Sequence, residues 1–369
     1  MQIKQLTLLN YKNIQQAEIS FSPKINCFIG ENGAGKTNIL DALYMLSYCK
    51  SHRTSVDSQN ILHGFDFFVI QGEYLLSGER EESIYCGLKK GRKKQFKRNK
   101  KEYQRLAEHI GILPLVLISP YDHSLINDGS EERRKFVDGI ISQYDPQYLH
   151  YLLNYNVLLH QRNAALKAET ADDDLLDVLD QQMSFYVDYL YEKRCLFIEQ
   201  FLPIFQSIYD CLSSEKEKVS LCYVSQRHNE KAIDGFLLRR NRDRAIGYTT
   251  FGSHKDDLEM LIDDFPIKRV GSQGQNKTYL VALKLAQFEF MKKSSNLNPL
   301  LLLDDIFDKL DSNRVRQIIK LVNQNSFGQI FITDTNREHI DEILHQIASD
   351  AKIFSVKNGA VEEVVNVNI

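Results

Sequence analysis

Apolar residues fall along this chain in two rhythms. Short runs recur at Ile25-Asn26-Cys27-Phe28-Ile29, Leu115-Val116-Leu117-Ile118, Leu300-Leu301-Leu302-Leu303 and Gln329-Ile330-Phe331-Ile332-Thr333. Each predicts a buried strand. The leucine run suits a parallel strand covered on both faces, and Pro299 can open such a strand but not sit inside it. Phe67 to Tyr74 and Ser83 to Leu88 predict antiparallel strands, with Gly78 in the charged turn between them. Elsewhere the spacing is helical. Ile39, Leu40, Leu43 and Leu46 predict a helix from Asn38 to Tyr48. Tyr148, Leu149, Leu152, Leu153 and Leu159 predict a second. Leu175, Leu176, Leu179, Met183, Tyr186, Tyr189 and Leu190 predict a third, with Asp172-Asp173-Asp174 in its first turn. Leu280, Val281, Leu283, Leu285, Phe288 and Met291 give the apolar face of a strong amphipathic helix, and another helix is expected at about Ser312–Asn323. Strands thus dominate both ends and helices the middle. Residues 1–125 with 245–369 are expected to form one α/β domain, and residues 126–244 an inserted helical domain that holds too little Gly or Pro to be a linker.

Candidate chemistry begins where the first buried run ends. Gly30-Glu31-Asn32-Gly33-Ala34-Gly35-Lys36-Thr37 fits the phosphate-binding loop G-x-x-x-x-G-K-[ST], between a predicted strand and a predicted helix. Glycines let backbone N–H groups converge on phosphates, and the helix N-terminus adds its partial positive charge. Lys36 would reach the β- and γ-phosphates, and the Thr37 hydroxyl would take a place on Mg²⁺. The leucine strand ends in Asp304-Asp305, at the edge where open α/β sheets bind ligands. Asp304 is expected to contact Mg²⁺, and Asp305 to polarise the water that attacks the γ-phosphate. Asp334-Thr335, at the end of another core strand, is expected to face the same crevice. A third element, Val270-Gly271-Ser272-Gln273-Gly274-Gln275, precedes the amphipathic helix. Alone it reads as a helix cap with a glycine turn. Its Ser-x-Gly-Gln core also resembles the ABC-ATPase signature, which in that superfamily binds the γ-phosphate held by the P-loop of another subunit.

Composition narrows the setting. Hydrophobic residues make up 43% and charged residues 26%, the balance of a soluble globular protein. No apolar stretch is long enough to predict a membrane span, and Met1 to Leu6 reads as a first strand rather than a signal peptide. The six cysteines are scattered without a C-x-x-C pair, which suits a reducing cytoplasm and argues against zinc. The ten histidines show no metal-ligand spacing, and His254 reads as structural. A net charge of −3 means that any nucleic-acid surface must be local. One candidate stands out: from Lys89 to Lys101, nine of thirteen positions are Lys or Arg, namely Lys89, Lys90, Arg92, Lys93, Lys94, Lys97, Arg98, Lys100 and Lys101. Arg98-Asn99-Lys100 can form a hairpin turn, because Asn tolerates the left-handed region. Two readings stay open: a solvated edge hairpin whose lysines discourage pairing, or sequence-independent contact with a phosphate backbone. Arg53 is either a nucleotide or DNA contact or a plain surface arginine.

Taken together, these motifs resemble the RecF family of SMC-like ABC ATPases along nearly the whole chain. The resemblance runs through Leu9-Asn10-Tyr11-Lys12-Asn13, the P-loop, Ser51-His52-Arg53-Thr54, Ser119-Pro120 and Arg133 to Asp138. It continues through Gln161-Arg162-Asn163-Ala164-Ala165-Leu166, Gly247 to Leu258, the signature, Asp304-Asp305 and Asp308-Lys309-Leu310-Asp311. Ser253 stands where the family usually has Pro, and Lys12 where Arg is common. The resemblance implies an ABC-type P-loop ATPase head, a mixed sheet with flanking helices, carrying an inserted helical lobe. It implies Lys12, Asn13, Gly30 to Asn38, Ser272, Gly274 and Gln275 around ATP. It also implies a weak Mg²⁺-dependent, DNA-stimulated ATPase, an ATP-dependent homodimer on gapped or duplex DNA, and work with RecR and RecO in loading RecA during recombinational repair. The competing readings are an ATPase subunit of another DNA-repair or transport assembly, and a module that uses ATP as structural glue. The long separation of Lys36 from Ser272, and the lack of a His after the last core strand, count against transport.

Overall fold

The computed structural model describes residues 1–76, 80–168, 172–213, 217–295, 297–306, 328–346 and 350–364. The expected turn at Gly78, the Asp308–Asp311 segment and the helix expected at Ser312–Asn323 lie outside them. The chain forms two compact units, one from Met1–Asp122 with Val281–Ile369, the other from His123–Leu280.

The first unit is built on two six-stranded sheets. One runs in the order Ala360–Glu363, Ala351–Lys357, Ile25–Ile29, Ile330–Asp334, Leu300–Asp304, Leu115–Ile118. All its pairings are parallel except the Ala360–Glu363 edge hairpin. Leu300–Asp304 and Ile330–Asp334 are buried at every position, as apolar runs without polar alternation require. Register sets Asp304 beside Thr333, and Asp334 beside Ile29, the last strand residue before the P-loop. The other sheet is antiparallel, ordered Ile14–Ser20, Gln2–Tyr11, Phe67–Leu75, Glu81–Lys89, Gln95–Arg98, Lys101–Glu102. Helix Lys36–Tyr48 touches both sheets. Its Ile39, Leu40, Leu43, Met45 and Leu46 share one core with Leu6, Phe68 and Ile70 of one sheet and Leu117, Leu302 and Phe331 of the other. This burial on several sides fixes the helix, and with it the phosphate-binding turn at its start.

The second unit holds helices Ser130–Tyr144, Pro146–Lys167, Asp173–Ser213 and Ala232–Ile246. Asp145 caps the second of these by accepting from the Tyr148 N–H, and Pro146 sits where a missing N–H costs nothing. A three-stranded sheet, Phe265–Pro266, Asp257–Ile262, Val219–Val224, completes it. That sheet moves the boundary expected from the sequence. Strand Asp257–Ile262 pairs along its whole length with Val219–Val224, and the second unit runs on to Leu280.

Two buried arginines organise this unit. Arg162 donates to Asp180 at 2.6 Å, Asp243 at 2.7 Å and Thr249 at 3.0 Å. Arg194 donates to Asp256 at 2.8 Å, to Asp138 at 3.1 Å and to the Ser253 carbonyl at 2.9 Å. Removing one partner of such a pair typically costs about 3–5 kcal/mol. The conspicuous Gln161–Leu166 and Gly247–Leu258 segments therefore hold the fold. His254 belongs here too: its ring meets the Tyr155 hydroxyl at 2.6 Å and the Thr249 carbonyl at 3.1 Å, and burial lowers its pKa to about 4.

Candidate functional site

The P-loop leaves strand Ile25–Ile29 through Gly30, where a side chain has no room. A Cβ there would lie 2.2 Å from the Val356 carbonyl oxygen of the neighbouring strand. Gly33 and Gly35 take φ of 82° and 119°, which L side chains rarely adopt. Asn13 secures the loop from outside. Its amide donates to the Gly33 carbonyl at 3.2 Å and the Ala34 carbonyl at 3.1 Å, while its oxygen accepts from Asn38 at 2.7 Å. The Gly359 N–H donates to the Ala34 carbonyl at 2.9 Å. Backbone groups that would otherwise seek their own partners are thus fixed before any anion arrives. Glu31, Asn32 and Gly33 remain exposed at the mouth.

Lys36 is buried, and its ammonium donates to the Gly30 and Glu31 carbonyls at 2.8 and 3.2 Å. It lies 4.0 Å from the Asp305 carboxylate. The Thr37 hydroxyl donates to Asp304 at 2.8 Å, which joins the loop to the acidic strand. Thr333 also donates to Asp304 at 2.8 Å, and its oxygen accepts from the Asp305 N–H at 3.0 Å. Asp305 turns through the left-handed region, φ 46°, and keeps its side chain 26% exposed. The two acids therefore differ in kind: Asp304 is enclosed, and Asp305 meets solvent. Burial raises the Asp304 pKa, the nearby Asp305 charge adds to the rise, and the Thr37 and Thr333 hydroxyls oppose it. Thr37 and Asp304 offer hard oxygen donors in contact with each other, a set that fits Mg²⁺ sharing its shell with phosphates and water.

Lys12 sits beside this loop, but its ammonium pairs with buried Asp41 at 2.5 Å. Asp41 also accepts from Tyr11 at 2.6 Å, from Ser51 at 2.8 Å and from the His52 N–H at 2.7 Å. Burial alone would raise the Asp41 pKa, yet the Lys12 charge and these donors hold it below the usual range. The hub folds the Ser51–Thr54 segment back onto the P-loop helix. Beyond it, Arg53 lies over the Tyr121 ring, 4.8 Å from the centroid. Asp334, expected at the same crevice, lies beside Ile29 in the sheet register. It is buried, accepts from the Asn336 N–H at 2.7 Å and leads into helix Arg337–Gln346. Thr333, Asp41 and the clamping role of Asn13 were not legible in advance. Only the polar Thr333 ending an apolar run hinted at any of them.

In the second unit, Ser272 starts helix Gln273–Ser294 with a reciprocal pair. Its hydroxyl accepts from the Gln275 N–H at 3.2 Å, while the Gln275 side chain accepts from the Ser272 N–H at 2.7 Å. Gly274 lies in the first turn, its carbonyl accepting from Thr278 at 2.9 Å. Ser272 and Gln273 are exposed.

The basic stretch divides into two sets. Asn99 and Lys100 take φ of 50° and 69° and make the two-residue turn between Gln95–Arg98 and Lys101–Glu102. Lys89, Lys90, Arg92, Lys93, Lys100 and Lys101 are exposed, and the Lys97 ammonium lies 5.3 Å from the Tyr85 ring centroid. Lys94 and Arg98 depart from the expected open row. Lys94 donates to the Cys49 carbonyl and pairs with Asp57, both at 2.7 Å. Arg98 grips buried Glu82 with two bonds, at 2.8 and 2.7 Å. Buried Glu82 must be paired, and the largely buried Lys94 ammonium is held by Asp57 and a carbonyl, so these two cations serve the hairpin's fold.

The family model for the RecF/RecN/SMC N terminal domain matches residues 2–362. The DNA replication and repair protein RecF of Bacteroides fragilis (strain YCH46) is 56% identical over 365 residues, covering 99% of each chain. Its namesake from Phocaeicola vulgatus is 56% identical, covering 98% of each. A solved structure of the recombination mediator protein RecF-ATP in the RecFOR pathway is 28% identical, with a TM-score of 0.89 over 98% of this chain and 97% of that one. An ABC-type head and these likenesses agree: the chain belongs to the RecF family, within the RecF/RecN/SMC N-terminal domain class.

Proposed function

We propose that this chain is an ATP-dependent DNA-binding protein of recombinational and replication-gap repair. The observation that carries the reading is the Thr37–Asp304 hydrogen bond of 2.8 Å, which brings the P-loop and the acidic strand together at one point. ATP phosphates would lie along the Gly30–Thr37 backbone and on Lys36. Thr37 and Asp304 would hold Mg²⁺, which neutralises phosphate charge when bound. Asp305, held through its N–H by Thr333 and open to solvent, would orient the attacking water. An Asp at this place reaches one methylene less far than a Glu, which favours slow turnover. The exposed start of helix Gln273–Ser294 would receive the γ-phosphate of a second copy's nucleotide, making ATP the glue of a homodimer. The exposed cations between Lys89 and Lys101 would hold the backbone of gapped or duplex DNA. The relatives' names, a DNA replication and repair protein and a recombination mediator of the RecFOR pathway, support partners of the RecR and RecO type; recombinase loading in the cytoplasm would be the task of that assembly. Among the described residues no helix is long and apolar enough to cross a membrane.

Light scattering with ATP and Mg²⁺ tests this reading. The wild-type chain is expected to dimerise on ATP and return to monomer as ATP is consumed. Asp305→Asn should bind ATP with unchanged affinity and stay dimeric far longer. A variant that hydrolyses ATP at the wild-type rate would remove Asp305 from the water's path.

A further inference from the structure

The basic stretch borders an open hollow of about 720 Å³ on the antiparallel sheet of the first unit. Its lining mixes two kinds of surface. Phe67, Val69 and Tyr85 are apolar or aromatic, while Lys89, Arg92 and Lys93 are exposed cations. Strand register explains the mixture. Phe67 lies opposite Lys89, and Val69 opposite Gly87. The period of two then puts Phe67, Val69, Tyr85, Gly87 and Lys89 on one face of the sheet. Gly87 makes the face concave: a Cβ there would fall 2.4 Å from the Tyr85 hydroxyl, so the ring lies along the sheet above the glycine. Phe67 is 39% exposed, a large ring facing water among cations.

Edge protection explains lysines but not a tyrosine ring laid along the sheet next to an exposed phenylalanine. Nor does a duplex, whose bases stack on one another and leave no free face for an aromatic side chain. An unpaired base has two such faces, and base–aromatic stacking between backbone-tracking cations is how single strands are held without sequence preference. We propose that this hollow takes an unpaired nucleotide of DNA, its base against Tyr85 and Phe67 and its phosphates on Lys89, Arg92 and Lys93. The inference rests on the DNA-binding reading above and deepens it: the surface reads the single-stranded part of a gap. Glu102 also lines the hollow, which leaves the phosphates to the Lys89–Lys93 side. Lys97 lies over the Tyr85 ring, 5.3 Å from its centroid, so a stacking base would displace its ammonium from that face toward the phosphates.

The chain contains no tryptophan, so Phe67→Trp provides a single fluorescent reporter in the hollow. With ATP and Mg²⁺ present, oligo-dT is expected to quench that emission, and a blunt duplex to leave it nearly unchanged. In parallel, Phe67→Ala and Tyr85→Leu should weaken oligo-dT binding by about fivefold or more, with blunt-duplex affinity by anisotropy changed less than about twofold. No quenching at an oligo-dT concentration that anisotropy shows to be saturating would overturn the stacking site. So would equal losses for single strand and duplex in variants whose melting is unchanged. If the wild-type chain bound neither DNA, the DNA-binding reading itself would fall, and this site with it.

Discussion

Asp304 shows at the residue scale how function and stability pull apart. Its carboxyl is enclosed, and burial raises its pKa above the unfolded value. Between those two pKa values the folded chain holds a proton that the unfolded chain has lost. Stability therefore falls as pH rises through that window, and the loss persists at neutral pH. Asp304→Asn keeps an oxygen for the Thr37 and Thr333 hydroxyls while removing the charge. It is expected to raise Tm at pH 7, and to erase that gain as pH drops through the window. The same variant should bind nucleotide about 10- to 100-fold more weakly when Mg²⁺ is present. Calorimetry across pH, with nucleotide titrations, checks both halves; a lower Tm at pH 7 would mean that the charged form is stabilised in the fold. The P-loop and both acids were legible because each lies in one contiguous stretch. Thr333 and the clamping role of Asn13 were not, because their partners are brought from distant positions by sheet register and by a glycine turn.

At the scale of elements, Ser272 caps a helix and, in the proposed reading, faces a partner's γ-phosphate, and one substitution can separate the two. The hydroxyl caps helix Gln273–Ser294, and loss of such a cap typically costs about 1 kcal/mol. Asp caps as well as Ser but brings a negative charge. Ser272→Asp should therefore melt within a degree or two of wild type, roughly the scatter expected of a neutral change. It should also lose ATP-driven dimerisation, because the charge opposes a partner's γ-phosphate. Ser272→Ala should do the reverse, melting lower while still dimerising. If Ser272→Asp dimerised fully in light scattering, the residue would be a cap and nothing more. Apolar periodicity exposed the core strands and the starts of the helices, since burial on both faces or on one stripe writes itself into the chain. It did not show that the third helix runs 41 residues, Asp173–Ser213, through Pro203. Proline signals a break locally, and here burial of Phe197, Phe201 and Phe205 on either side outweighs it.

The whole molecule is acidic, with a net charge of −3, so the proposed affinity for a polyanion must come from where its cations lie. A run of lysines in sequence does not say which way each one points; pairing partners decide that. Lys94 and Arg98 are drawn inward by Asp57 and Glu82, while Lys93, Lys100 and Lys101 stay in solvent and Lys97 lies at the Tyr85 ring. Reversing charge at Lys93, Lys97, Lys100 and Lys101 should weaken duplex binding across sequences. It should also flatten the dependence of log K on log salt by about 0.9 for each phosphate no longer neutralised. ATP affinity without DNA should stay as in wild type, since none of the four touches the P-loop. Arg98→Ala makes the opposite control: it strips a bidentate partner from a buried carboxylate, so the chain should melt earlier while the salt slope of the surviving fold is kept. Anisotropy with a gapped duplex at several salt concentrations reads both. An unaltered slope in the quadruple variant would make the hairpin a solvated edge and send the search for the DNA surface to the helical unit.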